Sequence, residues 1–134
     1  MSIKRPKLNV VLKKPKENIL KKINMISKDI LIIGASKGIG YDMLKLLSYN
    51  KKINIYATYN QNKIKIKDIK SFQVDLLNNE KYLYDFIKKK NNLNIYYLSS
   101  PKIVLDDFSK ENSMILNKFF YDIPKKILEI TKNK

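Results

Sequence analysis

The chain has 134 residues and a mass of 15.8 kDa, enough for one domain, and 44% of its residues are hydrophobic, enough to fill a core. It holds no cysteine, histidine or tryptophan, which excludes disulfides, thiolate or imidazole metal sites, a cysteine nucleophile and a Ser-His-Asp hydrolase, so no metal is expected. Its formal net charge is +16, but the lysines are spread along the whole chain and arginine, the preferred phosphate and base reader, is nearly absent, so the surplus reads as solvated surface and A/T-rich codon bias ahead of a nucleic-acid partner.

Residues 1–28 form a basic extension ahead of the first strand. Lys4, Arg5, Lys7, Lys13, Lys14 and Lys16 charge it, and Pro6 and Pro15 break it. Residues 9–12 read as a short strand, and residues 17–26, with Ile19, Leu20, Ile23 and Ile26 at helical spacing, as a short amphipathic helix. The extension lacks the apolar core of a secretory signal. No apolar run reaches the roughly 18 residues of a membrane span. A soluble cytoplasmic protein with no membrane partner is expected.

The domain itself is expected over residues 29–134. Ile30 to Ile33 are four apolar residues in a row, the mark of a strand buried on both faces. They run into Gly34, and all three glycines of the chain follow within seven residues, at Gly34, Gly38 and Gly40. Beyond them Ile39, Met43, Leu44, Leu46 and Leu47 take helical spacing. Residues 53–59 alternate as a second strand. The next connection is short, and Ile64 and Ile66 alternate with lysines there, so no helix is expected. Residues 72–75 read as a third strand ending on Asp75. A helix capped by Asn78 or Asn79 follows, with Tyr82, Leu83, Phe86 and Ile87 as its apolar face and Lys88, Lys89 and Lys90 in its last turn. Residues 93–98 read as a fourth strand, ending at Ser99-Ser100-Pro101. Ser109 caps a last helix carrying Ile115, Leu116, Phe119, Phe120, Ile123, Ile127 and Ile130, which Pro124 kinks or interrupts. The order β-α-β-β-α-β-α predicts an α/β fold, a parallel sheet with helices on its faces and a ligand site beyond the carboxyl ends of the strands.

A strand, a glycine turn and a helix N-terminus suit a phosphate, because glycine lets the backbone approach and the helix end offers N–H groups. The Gly-Lys-Ser/Thr of a nucleoside-triphosphate loop is absent, and the spacing differs from Gly-x-Gly-x-x-Gly. A plain strand-to-helix turn without a ligand is the remaining simple alternative.

The observed Gly-x-x-x-Gly-x-Gly, residues 34–40, resembles the cofactor turn of the short-chain dehydrogenase/reductase family. The resemblance covers about residues 29–130. It implies a Rossmann-like parallel sheet of about four strands with flanking helices, a truncated doubly wound domain. It further implies cofactor contacts from Gly34, Ser36, Lys37, Gly38, Ile39 and Gly40. The end of the second strand, Ala57-Thr58-Tyr59-Asn60, lies where the family reads the adenosine ribose, with Tyr59 and Asn60 as the candidate contacts; NAD-preferring members carry an acidic residue there, and this chain does not. Lys37 matches a basic residue typical of NADP-preferring members, so NADP is expected ahead of NAD. Asp75-Leu76 matches the pair that contacts the adenine. Ser99, Ser100 and Pro101 replace the family's Asn-Asn-Ala-Gly near the nicotinamide.

The catalytic half is where the resemblance thins. The family moves hydride between NADP or NAD and a carbonyl or alcohol with a serine, a Tyr-x-x-x-Lys pair and an asparagine. Asn117 lies near the position of that asparagine. Tyr121 and Lys125 have the Tyr-x-x-x-Lys spacing, but they fall about one strand and one helix too early, with Pro124 between them, and read as surface residues. The family's domain is nearly twice as long. The expected protein is therefore an NADP(H)-binding reductase-like chain lacking its catalytic half, with a small-molecule substrate if active, and with a homodimer or the missing half covering an open sheet edge. A non-catalytic nucleotide-binding or regulatory module, and a basic nucleic-acid-associated protein, are the alternatives.

Overall fold

A computed structural model of the chain describes residues 29–102 and 109–134. The expected extension, with its strand at residues 9–12 and helix at residues 17–26, lies outside the described residues. The strands are β1 (Asp29–Ile33), β2 (Asn54–Tyr59), β3 (Ile69–Gln73) and β4 (Leu93–Tyr97). The helices are α1 (Gly38–Leu47), α2 (Lys81–Lys88), α3 (Lys110–Asn117) and α4 (Ile123–Lys132), and a π-helical turn, Lys118–Asp122, joins α3 to α4. All strand pairs are parallel and the sheet order is β3-β2-β1-β4. β1 is central because both its faces are apolar. Leu31 pairs with Tyr56 on one side and Ile95 on the other.

Alternation along the strands splits the core into two layers. Ile30 and Ile32, with Ile55 and Ala57, face Leu44 and Leu47 of α1. Leu31 and Ile33, with Tyr56, face Leu83 and Ile87 of α2 and Phe119, Ile123 and Ile127 further on. The β2–β3 connection has no helix. Ile64 is buried in the α1-side layer instead, with Ile66 packed against it, so an extended segment covers the sheet there.

Several expected details are corrected. The third strand is β3, starting at Ile69, because residues 69–73 continue the ladder of β2 from Ile55↔Ile69 to Tyr59↔Gln73. Asp75 lies beyond the strand, where its carboxylate accepts from the Leu77 N–H at 2.9 Å and turns the chain. Neither Asn78 nor Asn79 caps α2; Glu80 stands at the boundary without a side-chain cap, and Asn79 Oδ1 accepts from the Asp75 N–H at 2.6 Å. Ile39, Tyr82 and Phe120 are not core residues, being 79%, 66% and 59% exposed. Ser109 does cap α3, its Oγ accepting from the Asn112 N–H at 3.2 Å. Pro124 interrupts the last helix as expected. It has no N–H for the carbonyl four residues back, and the chain widens just before it, with the Ile123 N–H bonding the Lys118 carbonyl. Tyr97 of β4 donates its hydroxyl to the Phe119 carbonyl in that widened turn at 2.7 Å.

Candidate functional site

The three glycines meet three different steric demands. Gly34 has φ +84°, and a Cβ there would lie 2.7 Å from the Ser99 backbone, so the chain leaving β4 crosses directly against it. Gly40 sits where the first turn of α1 presses on the turn before it; a Cβ would meet the Gly34 carbonyl oxygen at 2.6 Å. Gly38 has φ +65° with nothing within 4 Å of a built Cβ. Two glycines thus serve close packing, and the third bends the backbone against open space. Thr58, 3% exposed at the end of β2, fixes the turn: its Oγ1 accepts from the Gly34 N–H and its carbonyl from the Ala35 N–H, each at 3.2 Å. α1 begins with an extended Lys37, no side-chain cap and no acidic residue in its first turn. Its N–H groups and positive dipole end therefore face outward uncompensated by the chain's own side chains.

Two adjoining cavities open at this end of the sheet. The smaller, about 100 Å³, is lined by Gly34, Ser36, Thr58, Tyr59, Asn60 and Ser99, with Val74, Leu76 and Phe119 beneath. The larger, about 250 Å³, is bounded by Ser36, Lys37 and Asn60 to Asn62 on one side, and by Asp75, Leu77, Pro101, Lys102, Ile115 and Phe119 on the other. Bigger depressions, of about 530 and 400 Å³, lie at the opposite pole, where the strands begin, among Lys88, Lys126 and Lys134 and among Lys51, Asn54 and Asp68. They hold no glycine turn. Ligands of open α/β sheets bind at the carboxyl ends of the strands, so the smaller pair of cavities is the candidate site.

The structure therefore brings together Gly34, Ser36, Lys37, Tyr59, Asn60, Asp75, Leu76, Ser99 and Pro101 at one groove. Gly38 and Gly40 line neither cavity; Gly40 packs against the backbone of Gly34, which does. Ile39 and Ser100 line neither cavity and are exposed. Asn117 also lines neither; its side-chain amide lies 3.3 Å from Asp122 Oδ2. Tyr121 and Lys125 are exposed, with the Lys125 ammonium 5.4 Å from the Tyr121 ring, and they too lie outside the groove. Thr58, from the strand end expected at the adenosine ribose, lines the groove. Phe119, expected only as part of the last helix's apolar face, and Lys102 line it as well, and neither gave a local signal of a place there.

Asp75 is the carboxylate of the groove. The Asn78 side-chain amide, 2.8 Å from Oδ2, holds its pKa below the ordinary carboxylate range; burial opposes this, and the Leu77 and Asn78 backbone and the Lys118 charge add to the lowering. Both its oxygens serve its own turn. Lys118 donates to the Leu77 carbonyl at 2.5 Å and pairs with Glu80 at 3.0 Å, which keeps it out of the groove as a free cation. Burial raises the Tyr84 phenol to about 12, with Glu80 and Asp122 adding to the rise, and it raises Tyr97 further. Neither tyrosine is poised for proton transfer near neutral pH. Among the described residues no helix is long and apolar enough to cross a membrane.

No protein-family model matches the sequence, and no curated protein matches it. Among solved structures, the chain is similar to a short chain dehydrogenase family protein from Francisella tularensis subsp. tularensis SCHU S4, at a TM-score of 0.63 and 20% identity. The match covers 80% of this chain and 46% of that one, so the chain spans about half the length of the structure it resembles. The described residues thus share the Rossmann-like α/β fold of a short-chain dehydrogenase, with four parallel strands and flanking helices.

Proposed function

We propose that this chain binds a nicotinamide dinucleotide, NADP(H) ahead of NAD(H), in the groove at the carboxyl end of the sheet. The observation that carries this reading is the glycine turn: Gly34 and Gly40 are demanded by packing, while Gly38 holds a positive φ beside open space at an uncapped helix N-terminus. That is the surface a pyrophosphate needs, since N–H groups and a bare backbone can reach it. The residues fit the group. Ser36 and the first turn of α1 would hold the pyrophosphate, Tyr59 and Asn60 the adenosine ribose, and the segment around Asp75 and Leu76 the adenine. The absence of a carboxylate at the end of β2 leaves nothing there to repel a 2′-phosphate, and Lys37 would attract it. The bound cofactor would supply hydride chemistry to a small carbonyl or alcohol, and Ser99 to Pro101 would lie near its reactive end. Residues 29–134 form the binding domain in this reading, residues 1–28 an extension, and the location is cytoplasmic.

A second reading has its own support. Tyr121, Lys125 and Asn117 all lie outside the groove, which favours a dinucleotide-binding module with no hydride transfer of its own. Thermal unfolding of the full chain with NADPH and with NADH tests the shared claim, because a ligand of the native state raises the midpoint by mass action. A larger rise with NADPH is expected. A cooperative melt unmoved by either dinucleotide defeats both readings. Oxidation of NADPH with a panel of small carbonyls then separates them.

A further inference from the structure

The two faces of β4 are treated differently. Leu93, Ile95 and Tyr97 pack into the layer under α2 and α4. Asn94 and Tyr96 pair with Ile30 and Ile32, so they point to the α1 side, and continued alternation carries Leu98 there too. Among the described residues, no apolar side chain of β4 joins the layer that α1 closes over β1 and β2. Tyr96 and Leu98 are left 38% and 39% exposed. α1 has a matching flank. Leu44 and Leu47 face the sheet, and Met43 and Leu46 lie to one side of them. In a right-handed β1-α1-β2 crossover that side is the one above β4, and Leu46 is 39% exposed. Met43, Leu46, Tyr96 and Leu98 thus bound an uncharged trough over β4, on a kind of sheet whose strands are ordinarily covered on both faces.

The chain itself supplies a cover of the right length in the right place. Residues 17–26 carry Ile19, Leu20, Ile23 and Ile26 at the spacing of a helix with one apolar face. Such a helix spans about 15 Å, against about 16–17 Å for the five residues of β4. Only Ser27 and Lys28 then remain before Asp29, which lies beside Leu93 at the start of β4. Two residues are an ordinary link between a helix and a strand, so the helix would end at the foot of the trough and lie alongside α1. Asn94 stands at that foot. Its Nδ2 is buried and has no hydrogen-bond partner among the described residues, while the last turn of a helix leaves carbonyls unpaired.

We propose that residues 17–26 dock as a helix into the trough between α1 and β4, seating Ile19, Leu20, Ile23 and Ile26 there and offering a last-turn carbonyl to the Asn94 amide. Lys21, opposite the apolar face, then points to solvent. The extension is a part of the folded domain and not an arm held free for a polyanion. This docking is independent of the dinucleotide reading.

Hydrogen exchange of the full chain, read by mass spectrometry at several protein concentrations, tests it. The proteins are wild type, Ile23→Lys, Leu46→Lys, Tyr96→Lys and Lys21→Glu. In wild type the amides of residues 21–26 should exchange roughly tenfold or more slowly than in an unstructured chain, at every concentration. Ile23→Lys, Leu46→Lys and Tyr96→Lys should each abolish that protection while the amides of β1 and β2 keep theirs, and Lys21→Glu should change nothing. Leu46 is partly exposed on α1, so Leu46→Lys keeps the fold even where Tyr96→Lys does not. No protection of residues 21–26 in wild type overturns the proposal. Protection that survives Leu46→Lys also overturns it, because the segment then packs elsewhere. Protection that appears only as concentration rises, together with a dimer in sedimentation, makes a second copy the occupant and overturns it as well.

Discussion

Replacing Gly34 with alanine tests how the glycine turn is built. Two costs follow from the geometry. The φ of +84° is left-handed, which costs an alanine about 1–2 kcal/mol. The new Cβ would also meet Ser99 Cα and N at 2.7 Å. Those are backbone atoms, so the end of β4 must move, an overpacking cost of about 1–3 kcal/mol. The total is roughly 2–5 kcal/mol. Gly38→Ala is the internal control. Its φ of +65° carries the same left-handed cost, but nothing lies within 4 Å of its Cβ. It should lose only about 1–2 kcal/mol. Both substitutions stiffen the unfolded chain alike, so the difference isolates the clash. Urea unfolding followed by far-UV circular dichroism gives both values. In thermal melts the gap should appear as roughly 4–12 °C, at about 4 °C per kcal/mol for a chain of this length. Equal losses, or a larger loss in Gly38→Ala, would refute the steric account of the turn.

Two further outcomes follow from the ionisable groups. Tyr97→Phe removes the bond to the Phe119 carbonyl that ties β4 to the widened turn, and should cost about 0.5–1.5 kcal/mol in urea unfolding. Burial raises the phenol pKa of Tyr97 and takes Tyr84 to about 12. Their stabilisation is complete below the unfolded value of about 10 and is lost as pH rises through the folded values, so Tyr97→Phe should flatten the alkaline fall of the urea midpoint; an unchanged slope contradicts this. Asp75 runs the other way. Its folded pKa is lowered, first by the Asn78 amide. Its contribution is therefore present above an unfolded value of about 3.9 and lost as pH falls through the folded one. Asp75→Asn should cost under about 1 kcal/mol at neutral pH and make the acid limb of the pH profile shallower, which urea titrations at a series of pH values read directly.

Periodicity and missing side chains are local properties, and they carried a large share of this fold. The four-residue run from Ile30 to Ile33 marks a strand buried on both faces, because any polar residue there would lose its water. The three glycines mark the turn, and the short, lysine-interleaved connection before β3 marks a crossover without a helix. Pro124 marks a break because the missing N–H acts within one turn. Spacing foresaw even the stripe from Ile115 through Phe119 and Ile123 to Ile127. In an ideal α-helix three successive steps of four residues would carry that stripe about 120° around the axis. The π-helical turn takes up the drift and keeps Phe119, Ile123 and Ile127 in one layer.

Contacts between distant segments decided the rest. Gly34 and Gly40 look alike in the sequence, yet one is required by Ser99, far along the chain, and the other by Gly34 itself. Ile39 has the spacing of a core residue, but the layer over β1 is already closed by Leu44, Leu47 and Gly40, which leaves Ile39 in solvent. The limits of β3 were set by the register of β2 and not by the residues of the strand itself. Phe119 and Lys102 enter the groove, and Asn117, Tyr121 and Lys125 do not, because the segments after β4 are placed by packing on the sheet rather than by local preference. A sequence states which backbone shapes each residue tolerates; which distant atoms it must avoid or meet is fixed only when the strands take their register and the helices close over them.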